Sequence, residues 1–348
     1  MMPGPLMQCG AIAAILLLSV VASDGLVQSG GRRSQWTQAT SRPMLKKNFT
    51  IRYTLMDPNP VSDYVEKVGL PALASAHCTA EAYLAPALLA AEFIEVLPNY
   101  LIYTDHRTHP HAQSWVEKLP EVDRSRIHLV NLDEDPQDKF RLAPFSSVRL
   151  DAKNFVSIRR TLADGDHLPT DSSRLLLGTD VSFLANPVTF ISEASKLSQG
   201  QAMYMSDDVS FRGQKYTMKF YDGPQCAGLL GDFIFLAPGV QLGVGLLQEK
   251  MRWYLEHPYN TEPPCDYCLR HMEAHPFHAI DQFAMVMALG EATAVDGSGG
   301  CIALPEPQFH SSGRCNESGY RDTAEVVHDK CKPSGSTCSY HGFMTRLE

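Results

Sequence analysis

The chain has 348 residues, with 30 Lys and Arg against 39 Asp and Glu, a formal charge of -9. Its 44% hydrophobic and 20% charged residues give the balance of a globular protein rather than a disordered chain, long enough for one large domain or two modest ones. The acidic excess argues against nucleic-acid binding across the surface, and no apolar run of about 18 residues gives a firm transmembrane span.

Met1 to Ser23 carries no charged side chain, and Cys9 to Ala22 is almost wholly apolar. This pattern predicts a secretory signal peptide over 1–22, cut near Ala22. A signal anchor is the alternative, but the run is short for a span. Residues 23–47 read as a polar linker. The folded part is expected over 48–300, with a Cys-rich portion of the same domain at 301–348. The chain is therefore expected in the secretory-pathway lumen, Golgi or ER, or outside the cell. Two sequons, Asn48-Phe49-Thr50 and Asn316-Glu317-Ser318, fit a glycoprotein. Of nine cysteines, Cys9 lies in the signal; the other eight, an even set, predict disulfides whose pairing the sequence does not give. Cys265-x-x-Cys268 with His271 and His275 lacks the second separated ligand pair of a zinc module, so bridges are favoured there.

After the linker, strands and helices alternate. Asn48 to Leu55 reads as a first strand, broken by Met56-Asp57-Pro58-Asn59-Pro60. Thr79 to Val96 reads as a helix ended by Pro98. Tyr100 to Thr104 is a short buried strand closed by Asp105. Ala112 to Leu119 is a short helix, Arg126 to Leu132 a third strand, and Lys153 to Leu162 a helix. Arg174 to Phe183 is a fourth strand, interrupted at Gly178. Residues 239–245 form a turn into an amphipathic helix over Leu246 to Glu256. Residues 301–338 hold four cysteines and little helix or strand signal. Such alternation predicts an α/β fold with a mainly parallel central sheet, and ligands beyond the carboxyl ends of its strands. Asp105, Asp133 and Asp180 stand at such ends; turn or cap roles are favoured for Asp105 and Asp133.

The most informative stretch is LLLGTDVSFLANP, Leu175 to Pro187. A carboxylate at a buried strand end is placed to hold a hard cation that bridges phosphates. This stretch resembles the metal-binding Asp-x-Asp strand of the GT-A-fold glycosyltransferases, which use nucleotide sugars. The second acid is Asp180; the first is replaced by Gly178. Two later segments keep the order. Cys226-Ala227-Gly228-Leu229-Leu230-Gly231-Asp232 is similar to a family segment lining the sugar region, where an Asn stands in the place of Cys226. His278 to Val286, with Asp281-Gln282, is similar to a helix start that meets the sugar. Tyr340-His341-Gly342 resembles a late segment that supplies a metal ligand.

The resemblance spans roughly 48–345 and implies a GT-A-like, nucleotide-diphospho-sugar transferase domain. It implies Asp180 and His341 as ligands of Mn²⁺ or Mg²⁺. Donor-binding residues would be Thr54, Lys153, Thr179, Asp180, Gly228 and Asp232, and catalytic ones Asp281 and Gln282. Lys153, Arg159 or Arg160 could face the diphosphate; solvated helix charges are the plainer reading of each. Likewise GLLGD could be only a tight turn, and Asp281 only a helix-start acid. The expected function is transfer of a hexose from a nucleotide diphosphate sugar to a glycan or glycoprotein acceptor. The alternative is a non-catalytic luminal or secreted binding protein of the same fold, motivated by Gly178 and Cys226. No G-x-S-x-G elbow, Walker loop or H-E-x-x-H points to other chemistry.

Overall fold

The computed structural model describes residues 49–56, 98–119, 121–148, 152–178, 181–183, 188–206, 209–211, 214–218, 223–226, 228–257, 261–262, 280–294, 300–305, 309–312 and 325–329. The expected signal peptide, linker, helix at 79–96, both sequon asparagines and Cys265-x-x-Cys268 lie outside the described residues.

Alternation in the first strand sets the pattern of the core. In β1 (Phe49–Leu55), Phe49, Ile51, Tyr53 and Leu55 enter one apolar cluster. Thr50, Arg52 and Thr54 point to the other face, and they too are buried. β1 is parallel to β2 (Asn99–Thr104), β2 to β3 (Ile127–Asn131), and β1 to β4 (Ser173–Leu177). The first three match their expected spans within a residue. The other half of the sheet comes from β6 (Ala202–Ser206), β9 (Leu229–Leu236) and β11 (Cys301–Ala303). The seven strands run in the order β11-β6-β9-β4-β1-β2-β3. β9 is antiparallel to both its neighbours, and every other pairing in the sheet is parallel. The α/β fold with a mainly parallel sheet is therefore as expected.

Two expectations need correction. Residues 174–183 are not one strand. β4 stops at Leu177, and β5 (Val181–Phe183) joins a second sheet beside β13 (Val326–Asp329) and β12 (Phe309–Ser312). The break falls where Gly178 meets the Asp232 side chain. Nor do residues beyond 301 lack strands: β11, β12 and β13 all lie there. They are three or four residues long, too short to show a period. A third small sheet joins β7 (Val209–Phe211), β8 (Gln214–Met218) and β10 (Thr261–Glu262).

Helices cover both faces of the main sheet. α1 (His109–Val116) starts three residues before its expected position. Asp105 explains the shift, because its Oδ1 accepts from the Thr108 N–H and hydroxyl while its carbonyl accepts from His109 N–H. This is the turn role favoured for Asp105. α2 (Glu121–Arg124) and α3 (Asp138–Leu142) flank β3. α4 (Ala152–His167) extends past its expected end through Gly165. A Cβ at Gly165 would lie 2.7 Å from Val244 N, so the glycine admits the start of α6 (Val244–Glu256). α4, α6 and α7 (Ile280–Ala294) share a core through Leu162, Leu247 and Phe283. α5 (Val188–Lys196) covers the opposite face, where Phe190 meets Phe233 and Phe235 edge-on at 5.6 Å. No helix among the described residues is long and apolar enough to cross a membrane.

Beyond β3 the chain folds into an ionic network. Arg159 reaches Asp133 at 2.8 Å and Asp138 at 2.7 Å, while Arg141 pairs with Asp135 and Asp166. Asp133 also accepts from His106 N–H, a turn-holding role as favoured. Burial raises the Asp135 pKa, but hydrogen bonds from Arg141, the Gln137 N–H and His167 outweigh it and hold it at about 2. Its folded value lies below its unfolded value of about 4. Its stabilising contribution is thus complete above about pH 4 and disappears as pH falls through about 2. Urea midpoints of Asp135→Asn and wild type are expected to differ at pH 6 and to converge toward pH 2. A constant difference would remove the carboxylate from that role.

Candidate functional site

The chain builds outward from β1 through β2 to β3, then returns to the other side of β1 as β4. The carboxyl ends of β1 and β4 therefore flank the switch point, where open α/β sheets bind ligands. The β1–β4 register pairs Arg52 with Leu176. Carried on by two residues, it sets Thr54 level with Gly178. The Thr54 hydroxyl oxygen is buried and has no hydrogen-bond partner among the described residues.

β9 enters this end from the opposite direction. Leu177 pairs with Phe233, and Gly178 N–H donates to the Asp232 carbonyl at 2.7 Å. A Cβ added to Gly178 would lie 2.5 Å from Asp232 Cβ and 2.7 Å from Asp232 Cγ. Position 178, where the resemblance expects the first acid, has no room for any side chain. The carboxylate at that place belongs to Asp232. GLLGD is thus more than a turn: Gly228, at φ 74°, leads into the strand that begins at Leu229.

α7 supplies the second acid. Asp281 is its second residue and lies buried. The strand and the helix touch at Gly231, whose added Cβ would stand 3.5 Å from Gln282 Cβ. The segment leading to β9 is bound along α7: Cys226 N–H donates to Val286 O at 3.0 Å, and a Cβ at Gly290 would fall 2.3 Å from Pro224 O. Cys226 forms a disulfide with Cys301 at the start of β11. Cys226 therefore does not stand in for the polar donor-site residue expected there; it anchors the segment that carries Gly228 to Asp232.

Arg160, from α4, lies between the two acids. Its Nη2 is 3.0 Å from Asp232 Oδ1 and 3.0 Å from Asp281 Oδ2. The Asp232 side chain is 23% exposed and that of Arg160 16%, so the cluster borders solvent. Burial opposes the Arg160 charge, but Asp232 and Asp281 outweigh it and raise its pKa. One turn further along α4, Asp164 takes Arg52 Nη2 at 2.8 Å, with both side chains inaccessible. Burial raises the Asp164 pKa, against the pull of Arg52. Two guanidinium groups and three carboxylates are thus gathered through α4, which carries Arg160 and Asp164.

Of the residues expected to form the site, Asp232, Asp281 and Gln282 come together, with Gly228 leading in and Thr54 level with Gly178. Lys153 lies in the first turn of α4, and its side chain lies outside what is described, as do Thr179, Asp180 and His341. Arg159 does not serve a diphosphate, because Asp133 and Asp138 hold it. The plainer reading of Arg159 and Arg160 as solvated charges fails too: both are ion-paired. The Arg52–Asp164 pair went unread in the sequence. Its signal was an arginine at an inward position of β1.

Mn²⁺ or Mg²⁺ was expected on Asp180 and His341, which are not among the described residues. Those described do not fit a divalent ion. None of them form a group of three or more His, Cys, Asp or Glu arranged for a metal, and the two acids that converge already share Arg160. A cavity of about 260 Å³ lined by Asp164, Gly165, Thr170, Arg174, Gln241 and Gly243 lies toward the amino end of β4 and shares Asp164 with this group. Arg174 there donates to Val240 O and Ala237 O, and burial lowers its pKa to about 10 against Asp171.

No family model matches the chain, and no curated protein does. Among solved structures it is similar to mouse xyloside xylosyltransferase 1 in its apo form, with 12% identity and a TM-score of 0.41 over 82% of this chain and 98% of that one. It is also similar to 4-diphosphocytidyl-2C-methyl-D-erythritol synthase from Anaerococcus prevotii, with 11% identity and a TM-score of 0.32 over 77% and 91%. HddC from Yersinia pseudotuberculosis aligns at 9% identity and a TM-score of 0.28 over 57% and 79%. At these scores the likenesses say nothing of activity or substrate.

Proposed function

We propose that this chain is a glycosyltransferase of the secretory pathway, moving a hexose from a nucleotide diphosphate sugar to a glycan or glycoprotein. The observation that carries this reading is the convergence of Asp232 and Asp281, from separate segments, on one guanidinium beside the switch point. Ionised carboxylates accept hydrogen bonds and donate none, which suits the hydroxyls of a sugar ring. Arg160 holds their planes, so little reorganisation accompanies binding. Asp281 takes the position nearest the anomeric carbon, with Gln282 beside it, and Asp232 holds a ring hydroxyl. Residues 226–232 form the floor, fixed by the disulfide and by α7.

A thermal-shift panel of nucleoside diphosphates and nucleotide sugars, with and without Mn²⁺, tests the reading. One nucleotide class is expected to raise Tm, through its binding free energy. Donor hydrolysis is expected to fall about 10²-fold or more in Asp281→Asn, the scale for a lost polar contact to the reacting group, with the nucleotide-induced shift retained. No shift with any nucleotide on folded protein would defeat the reading. Gly178 favours a second reading, a binding protein of the same fold, since no acid can stand there. That protein would retain glycan binding and show no donor turnover.

A further inference from the structure

Two carboxylates that face one another repel unless a proton or a cation lies between them. In a phosphate-handling site that cation is commonly a divalent ion. Here Arg160 Nη2 already lies 3.0 Å from each acid. Among the described residues no further carboxylate can stand at position 178, because Asp232 fills the volume beside Gly178. Gly178, Asp232 and Arg160 thus form one arrangement: the missing side chain admits the acid, and the acid is neutralised from within.

We infer that Arg160 is a resident cation that stands in for a bridging metal, positioning Asp232 and Asp281 and excluding a divalent ion from between them. A dication brought to this pair would meet the guanidinium charge at close range, well inside the distance over which salt screens charges. Removing the guanidinium turns the pair into a divalent-ion site. Arg160 is a positioning residue, acting through the two acids. The inference rests on the reading of this cluster as the sugar side of the site, yet its test needs no nucleotide.

The experiment counts bound Mn²⁺ from the free-ion signal in electron paramagnetic resonance, on the full chain without nucleotide. Arg160→Met is expected to bind Mn²⁺ at least about tenfold more tightly than wild type, the scale on which neighbouring groups tune metal affinity. Asp281→Asn in that background is expected to remove the gain. A variant no better than wild type would overturn the inference. Asp281→Asn in the otherwise unchanged chain gives a second arm that does not depend on how Arg160→Met folds. Its Mn²⁺ affinity is expected to equal wild type, and a fall would show that the native pair holds metal and sink the proposal. A protein that binds no nucleotide sugar but follows these expectations would defeat the proposed function and leave this inference standing.

Discussion

Asp164→Ala is expected to destabilise the protein by about 3–5 kcal/mol, the scale for leaving a buried charge without its partner. Arg52 is the charge left behind. Its side chain is 1% exposed and its Nη2 meets Asp164 Oδ2 at 2.8 Å. Its Nε and Nη1 have no hydrogen-bond partner among the described residues, so nothing described stands ready to replace the carboxylate. The drop in Tm should be about 10 °C, at roughly 2–4 °C per kcal/mol for a large domain. Replacing both partners, as in Arg52→Met with Asp164→Leu, is expected to restore most of the loss, because buried pairs are often matched by apolar residues of similar volume. Urea unfolding of the three variants checks this. A single mutant within about 1 kcal/mol of wild type would mean that water reaches the pair.

Gly178→Asp, which rewrites the strand as a full Asp-x-Asp, is expected to impair the protein rather than improve it. The new Cβ would lie 2.5 Å from the root of the Asp232 side chain, a contact that rotation about χ1 does not relieve. The Gly178 N–H bond to Asp232 O, at 2.7 Å, keeps the two backbones from separating. Overpacking of this kind costs about 1–3 kcal/mol or more, and a second carboxylate beside Asp232 adds like-charge repulsion. The steric part can be isolated. Gly178→Ala should be rescued by Asp232→Gly and not by Asp232→Ala, since an alanine keeps the offending Cβ. Thermal melts of the two double variants decide it, and equal rescue by both would show that the carboxylate, not the Cβ, is what Gly178 makes room for. No gain in Mn²⁺ affinity is expected in any of these chains.

Much of this was legible in the sequence. The β-branched and aromatic residues of NFTIRYTL marked β1, but not the second buried face on which Arg52 lies. The short apolar run at 100–104 marked β2, a strand buried on both sides, whereas β3, expected over 126–132, is the half-buried edge strand. The convergence of Asp232 and Asp281 was suggested only by resemblance; the residues are far apart in the chain, and no local period links them. The same limit hid the roles of Arg159 and Arg160. Side by side on a helix, they read as surface charges until the fold supplies Asp133 and Asp138 to one and Asp232 and Asp281 to the other. The fourth strand was overextended because Val181 and Phe183 have strand character; which sheet they join depends on β13, far along the chain. Cys226 read as a lost polar contact, since spacing alone does not pair it with Cys301.

That disulfide links residues 75 apart, and the covalent ring it closes contains β9, α6 and α7. Both site acids ride on this ring, whereas Arg160 and the Arg52–Asp164 pair lie on the chain before it. Once the ring is closed, Asp232 and Asp281 remain within one loop of each other even in the unfolded chain, and the entropy of that closure is already removed from the unfolded state. What folding then has to bring together is two bodies, the ring and the strand-helix unit of β1 and α4, with a guanidinium as the seam. A chain made where thiols stay reduced would have to assemble the same cluster from three independent segments.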